Sequence, residues 1–321
     1  MKFLVVASTF LAASGVVRSE PRSNVHAHHK VTERIAIFSA YGPELDLLVK
    51  NTKHVSKMTL NGRTVTLGVL EGKNVLLTKT GESMVNAAMA AEAVLRTFKV
   101  RDILFSGVAG GVDPGLNIGD VVVPAQWAEF LEGYYARDVN GTFPEPELSA
   151  IYQPFFNSKG HNYDMFFPQS VPLANIKNTG TQADKETQVS WMKTDSKLLS
   201  HASKLNVTLQ HCGTNIFTNT TNVCLNVPPR VVVGGNGVSG ASYVDNADFR
   251  SYIFKNWGAQ SVDMESAALA HVATVHNVPF IVFRSLSDLA GGSSEANEFG
   301  VFAGLAATNA ADVLLAFLKK L

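Results

Sequence analysis

"DILFSGVAGG", residues 102–111, reads as a buried strand that ends in glycines, and the fold follows from what flanks it. Upstream lie "RIAIFSA" (34–40), a β-rich run, and "PELDLLVKN" (43–51), a helix with Pro at its start. "RTVTLGVL" (63–70) and "KNVLLTKT" (73–80) are strands with "EGK" as the turn between them, and residues 83–98 form an Ala- and Met-rich helix. Downstream come strands at 120–126 and 230–235, a helix at about 264–276, the strand "PFIVFRSLSD" (279–288), and a closing Ala-rich helix over about 298–320. Strands that alternate with helices in this way predict an α/β fold, a mostly parallel sheet sandwiched by helices. The sequence shows no internal repeat.

Residues 127–200 break the alternation. They combine Pro, Asn and Gly with twelve aromatics, among them Trp127, Tyr152, Phe155, Phe156 and Tyr163. A flexible linker is not so aromatic, so this stretch predicts a folded insertion on the same domain. It is expected to cap a pocket or to pack on a neighbouring subunit.

Lys2 precedes an apolar run from Phe3 to Val17, the pattern of a secretory leader, with Ser19 the expected last residue removed. A polar tail over 20–32 precedes the domain at 33–321. Its His26, His28 and His29 could bind a metal, but a disordered segment is the stronger reading, and neither metal nor cofactor is expected. No later apolar stretch is expected to be long enough to cross a bilayer, so a soluble exported protein is expected, secreted or vacuolar. Export predicts a disulfide between Cys212 and Cys224, with two buried free thiols as the alternative. Sequons at Asn140, Asn206 and Asn219 fit that route. Lys plus Arg and Asp plus Glu number 27 each, which leaves no basic field for nucleic acid or an anionic membrane.

The chemistry gathers at strand ends. "SVDMESAAL" (261–269) sets Asp263 and Glu265 at the mouth of an apolar helix, and acids are seldom buried without a partner or a task. In an open parallel sheet, ligands collect beyond the carboxyl ends of the strands. Glu44 follows the first strand, and Arg284, Ser287 and Asp288 end the strand at 279–288. Cleaving a glycosidic bond needs an acid for the leaving group, a group that orients the attacker, and an acceptor for sugar hydroxyls. An ionised carboxylate can clamp a vicinal diol because it only accepts hydrogen bonds. Taken singly, Glu265 could be a charge favoured by a helix dipole and Asp288 a turn residue paired with Arg284.

"VDMESAALA", "FRSLSDLAGG", "FSGVAGGVDPGLNIGDVVVP" and "AYGPELDLL" together resemble the nucleoside phosphorylase superfamily over residues 33–320, the insertion excluded. Within it the pattern is similar to the methylthioadenosine/S-adenosylhomocysteine nucleosidases. The leader and insertion resemble the plant bark and vegetative storage proteins of that superfamily, some associated with cytokinin binding. The resemblance implies a three-layer fold with a mixed central sheet and a homodimer or larger symmetric assembly. It implies a purine nucleoside ligand, with Glu265 on the ribose diol, Met264 against the sugar, Asp288 as the acid toward the purine, and Glu44 activating water beside Arg284.

The chain also departs from that pattern. Val108 stands where the nucleosidases usually place Ser or Thr, Val238 and Ser239 stand where an aromatic is expected, and Tyr41 and Pro43 come against the water site. Three functions stay open: hydrolysis of an adenine nucleoside such as methylthioadenosine, non-catalytic binding or storage of adenine derivatives, and phosphorolysis. Glu82 in "TGESM" (80–84) repels a phosphate dianion, which favours water over phosphate as nucleophile.

Overall fold

The computed structural model describes residues 32–147, 152–215, 218, 220–293 and 297–321; the leader, the three tail histidines and Asn219 lie outside them. The first half runs β1 (Glu33–Ser39), α1 (Gly42–Asn51), β2 (Lys53–Leu60), β3 (Arg63–Leu70), β4 (Lys73–Lys79), α2 (Met84–Thr97) and β5 (Lys99–Gly111). The central sheet continues through β6 (Val121–Val123), β7 (Gln126–Glu129), β8 (Met192–Lys193), β9 (Val231–Val233), β10 (Asn236–Ser239), β11 (Ala259–Asp263) and β12 (Phe280–Asp288). The remaining helices are α3 (Ser196–Ala202), α4 (Ala247–Trp257), α5 (Ser266–His276) and α6 (Phe299–Lys320).

Among the described residues these twelve strands make one mixed sheet, ordered β8-β7-β10-β11-β5-β1-β4-β3-β2, with β12 and β6 leading from β5 to β9. β5 is the hinge of the topology. β12 runs parallel to it from Phe280↔Ile103 to Asp288↔Gly110 and occupies one edge. The other edge is shared in succession: β1 pairs in parallel over 99–105, and β11 pairs antiparallel at Gly110 and Gly111. One strand therefore brings the carboxyl ends of β1, β5 and β12 to the same place, together with the end of β11.

The β2–β3–β4 meander turns at Asn61–Gly62 and Glu71–Gly72, all four residues at positive φ, as two-residue hairpins require. β2 is the strand least visible in the sequence. It lies at the sheet edge, exposed along most of its length, so burial imposes no apolar alternation on "KHVSKMTL". α4 carries an apolar stripe at helical spacing, Phe249, Tyr252, Ile253 and Trp257; Asn246 caps it by accepting from Phe249 N at 2.8 Å, and Gly258 closes it at φ 54°.

The sheet is covered on both faces. Phe38, Leu76, Phe105 and Val282 pack with residues of α2 and α5. Ile37, Leu77, Leu104 and Phe283 pack on the opposite side with residues of α1, α3 and α6. α6 corrects one expectation, since by length and composition alone it is apolar enough to span a bilayer. Its burial explains that composition: most of the helix is buried, and Asn309 within it bonds to Gly119 O and to the backbone of Gln210.

The segment 127–200 begins in the central sheet at Trp127 of β7, returns to it at β8, where Met192 pairs with Trp127, and ends within α3. The excursion between them carries two hairpins, 133–135 with 166–168 and 171–174 with 186–189. Its aromatics dock on α4: Phe156 lies 5.2 Å from Trp257, and Tyr163 lies 4.9 Å from both Phe249 and Tyr252. Asn140 and Asn206 are exposed.

Cys212 and Cys224 are joined across a short hairpin, 12 residues apart in sequence. A loop of this size constrains the unfolded chain by about 3 kcal/mol on the chain-entropy argument. The double variant Cys212→Ser/Cys224→Ser is expected to lose stability of that order in denaturant unfolding. A midpoint equal to that of wild type would show that the bridge does not stabilise the fold.

Candidate active site

Glu44 is placed by the first turn of its own helix. α1 begins at Gly42 with Pro43 next, and Glu44 stands at the third helical position, from which its Oε2 accepts from Ala40 N at 2.7 Å and Tyr41 N at 3.2 Å. Oε1 turns the other way and accepts from Val108 N at 2.8 Å, at the end of β5. The preceding Gly107 is required by space. A Cβ there would lie 2.4 Å from Arg284 Nη1 and 2.5 Å from Glu44 Oε1.

Asp263 and Glu265 divide two tasks between them. Asp263 ends β11, and its Oδ1 accepts from Glu265 N and Ser266 N at 3.1 Å each, so it anchors the start of α5. Ser239 and Ser266 donate their hydroxyls to the same carboxylate. Arg284 Nε approaches Asp263 Oδ2 at 2.7 Å. Glu265 faces outward from that anchor. Its Oε1 accepts from Ser83 N at 2.8 Å, and its Oε2 accepts from Arg284 Nη2 at 3.1 Å. Ser83 holds that position at φ 77°, a conformation unusual for a residue other than glycine.

Arg284 joins the set. It is 1% exposed, rests 4.2 Å above the Phe105 ring, donates to Val108 O at 2.9 Å, and lies 3.7 Å from Glu44 Oε1. Burial opposes its charge, but Asp263, Glu265 and Glu44 outweigh that and raise its pKa. The carboxylates feel the same balance from the other side. Burial pushes Glu44 up to about 7, against the pull of Arg284 and its backbone donors. Burial also raises Glu265, with Arg284 opposing and Asp263 adding repulsion.

Asp288 stands apart from this cluster. It accepts from Ser287 Oγ and Ala290 N, each at 2.9 Å, and burial raises its pKa despite those bonds. Ser287 also donates to Ala109 O at 3.3 Å.

A cavity of about 420 Å³ opens between these groups. Of the residues expected at the site, Glu44, Glu265, Met264, Val108, Arg284, Ser287 and Asp288 line it. Val238 and Ser239 do not. Both are strand residues at 0% exposure: Val238 packs in the core near Trp257, and Ser239 is engaged by Asp263 and by Ala267 N at 2.8 Å. The aromatic of that stretch is Tyr243, which lines the cavity and meets Phe299 edge-on at 6.1 Å. Tyr243 was legible as the one aromatic between Asn236 and Asn246; a strand ending at Ser239 was needed to see that the cavity wall starts after it.

The cavity thus offers two environments. One end holds Asp288, a carboxyl group of raised pKa to which no cation is bonded among the described residues. The other holds a carboxylate near neutrality beside a fixed guanidinium, with a second carboxylate at its flank. Proton donation and proton acceptance can occur across a space sized for a small molecule.

The family model of the Phosphorylase superfamily matches residues 34–319. A 5′-methylthioadenosine/S-adenosylhomocysteine nucleosidase of Bacillus licheniformis is 26% identical over 289 residues, 90% of this chain and 99% of the relative. Among solved structures, the nucleosidase of that name from Neisseria meningitidis, in complex with methylthio-immucillin-A, is similar with a TM-score of 0.62 at 22% identity, covering 90% of this chain and 100% of that one. Futalosine hydrolase of Helicobacter pylori is similar with a TM-score of 0.63 at 20% identity, covering 91% and 99%. At these identities the structural likeness speaks to the fold.

Removing the guanidinium leaves buried carboxylates uncompensated, which costs about 3–5 kcal/mol where such pairs have been broken. Arg284→Gln is therefore expected to lower the unfolding free energy by that order. Chemical denaturation measures it, and a variant as stable as wild type would deny Arg284 its organising role.

Proposed function

The chain belongs to the phosphorylase superfamily, and from that premise we propose that it hydrolyses the N-glycosidic bond of an adenine nucleoside such as 5′-methylthioadenosine. One observation carries this reading. A single cavity holds Asp288, buried on neutral donors with its pKa raised, and Glu44, at about 7 beside Arg284.

Asp288 donates a proton to the purine as the C1′–N bond breaks, and the bonding pair leaves with the base. The ribosyl group becomes oxocarbenium-like, and water attacks C1′ while Glu44 takes its proton. Glu265 accepts from the 2′- and 3′-hydroxyls; each of its oxygens receives one bond already, and a carboxylate oxygen can receive another. Met264 packs against the sugar, and Tyr243 offers a ring to the base.

Phosphate is the poorer nucleophile for this cavity. Among the described residues it is lined by five carboxylates (Glu44, Glu82, Asp263, Glu265 and Asp288) and by one cation, Arg284, which is already paired. Similarity to a nucleosidase over 90% of the chain favours turnover over storage.

Purified protein is expected to release free adenine from methylthioadenosine equally with and without phosphate. Asp288→Asn should lower kcat by roughly 10²–10⁴-fold. Glu44 acts as a base only when ionised, so kcat/KM should rise with pH through about 7, and Glu44→Gln should remove that limb. Nucleoside binding with no base released at any pH would favour the binding or storage reading.

The same reading includes export, with residues 1–19 removed and glycans on exposed Asn140 and Asn206, and assembly of identical subunits. Val85 and Met89, 71% and 55% exposed on one side of α2, support a covering surface there. Intact mass and light scattering on protein from a eukaryotic secretory host are expected to show the shortened, glycosylated chain as a dimer or larger. A monomer mass at all working concentrations overturns the assembly.

A further inference from the structure

The cavity carries more negative charge than the proposed reaction uses. Asp263, Glu265 and Glu44 surround Arg284, and Asp288 holds its own hydrogen bonds. Glu82 is different: it lines the cavity and is exposed, and among the described residues no hydrogen bond or ion pair reaches its carboxylate. The nearby donors are engaged elsewhere. Asn86 donates to the backbone carbonyl of Glu82, and Arg63 donates to Thr80 O and Asn86 Oδ1.

Its place in the cavity follows from its neighbours. The next residue, Ser83, donates its N–H to Glu265, the carboxylate assigned to the ribose diol. Tyr41, above Glu44, also feels the Glu82 charge among those that raise its pKa, burial being the largest. Tyr243 and Asn297 are grouped instead with Asp288, at the end assigned to the base. With the base at Asp288 and the diol at Glu265, the ribose substituent left to meet Glu82 is the 5′ group.

Resting on the nucleosidase reading, we infer that Glu82 is a specificity-determining residue that favours adenine nucleosides with a cationic 5′ substituent, an ammonium or sulfonium, over neutral or phosphorylated ones. A carboxylate just before a helix also gains from the dipole of α2. That role is blind to the ligand, whereas a charge at the 5′ end acts on the ratio between ligands. A cation about 4 Å from an exposed carboxylate gains about fivefold in water, less in high salt.

The test compares kcat/KM for 5′-amino-5′-deoxyadenosine (a cation at neutral pH), methylthioadenosine and adenosine 5′-phosphate. Glu82→Gln is expected to lower the cation-to-neutral ratio about fivefold, and Glu82→Asp to keep most of it. Glu82→Lys should shift preference toward the phosphate, and high salt should shrink each difference. Ratios that stay fixed across the three variants overturn the inference and leave Glu82 a helix-end charge. If wild type cleaves none of these nucleosides, the nucleosidase reading falls alone. The same ratios, read as dissociation constants by calorimetry, then still decide the role of Glu82.

Discussion

Arg284 is a buried guanidinium, held by Asp263, Glu265 and Glu44 from three elements of the fold. A buried ion network of this kind costs more to desolvate than an apolar core of equal volume, so stability alone is a poor reason for it. Its geometry supplies a better one. Asp263 comes from the end of β11, Glu265 from the start of α5 and Glu44 from α1, so the network fixes those ends relative to β12. The cavity wall is the outer surface of that arrangement.

The charge balance also sets which protons are available. Three acids cannot all ionise freely around one cation in a low-dielectric interior, and the strain falls on Glu44, which is wholly enclosed. Its backbone donors and Arg284 recover part of the cost but not all of it, which leaves the group near neutrality. Asp288 reaches a raised pKa differently, through burial with only neutral donors beside it. Two carboxyl groups in one cavity are thereby pushed apart in role by environment rather than by residue type.

Backbone placement makes this possible. β5 extends past the end of β1, so its last residues can serve as a floor, and Gly107 lets Glu44 and Arg284 approach across it. The tip of the same strand pairs with β11, which brings Asp263 into reach. The aromatic insertion acts at one remove. It packs on α4, the helix that follows the Tyr243–Val244 wall, and so braces that side of the cavity through Trp257 and Phe249.

Alternation of buried strands and amphipathic helices was legible in the sequence, because burial on both faces writes a continuous apolar run and helix faces write a 3.6-residue period. So were Glu44, Glu265, Arg284 and Asp288 as candidates, since acids and arginines next to apolar strand ends need a reason to be there. β2 escaped because an exposed edge strand has no apolar face to show, and α6 read as an Ala-rich helix without its cover because composition does not say what packs on a helix. Val238 and Ser239, expected at the cavity in place of an aromatic, fall short of it by a few residues, since where a strand stops depends on its partners: β10 is held to Ser239 by pairing with β7 and β11. The pairing of Arg284 with three acids, the enclosure of Glu44 and the lack of a partner for the Glu82 carboxylate among the described residues were settled by the tertiary structure alone. Each depends on distances between residues far apart in the chain, and no local pattern encodes a distance of that kind.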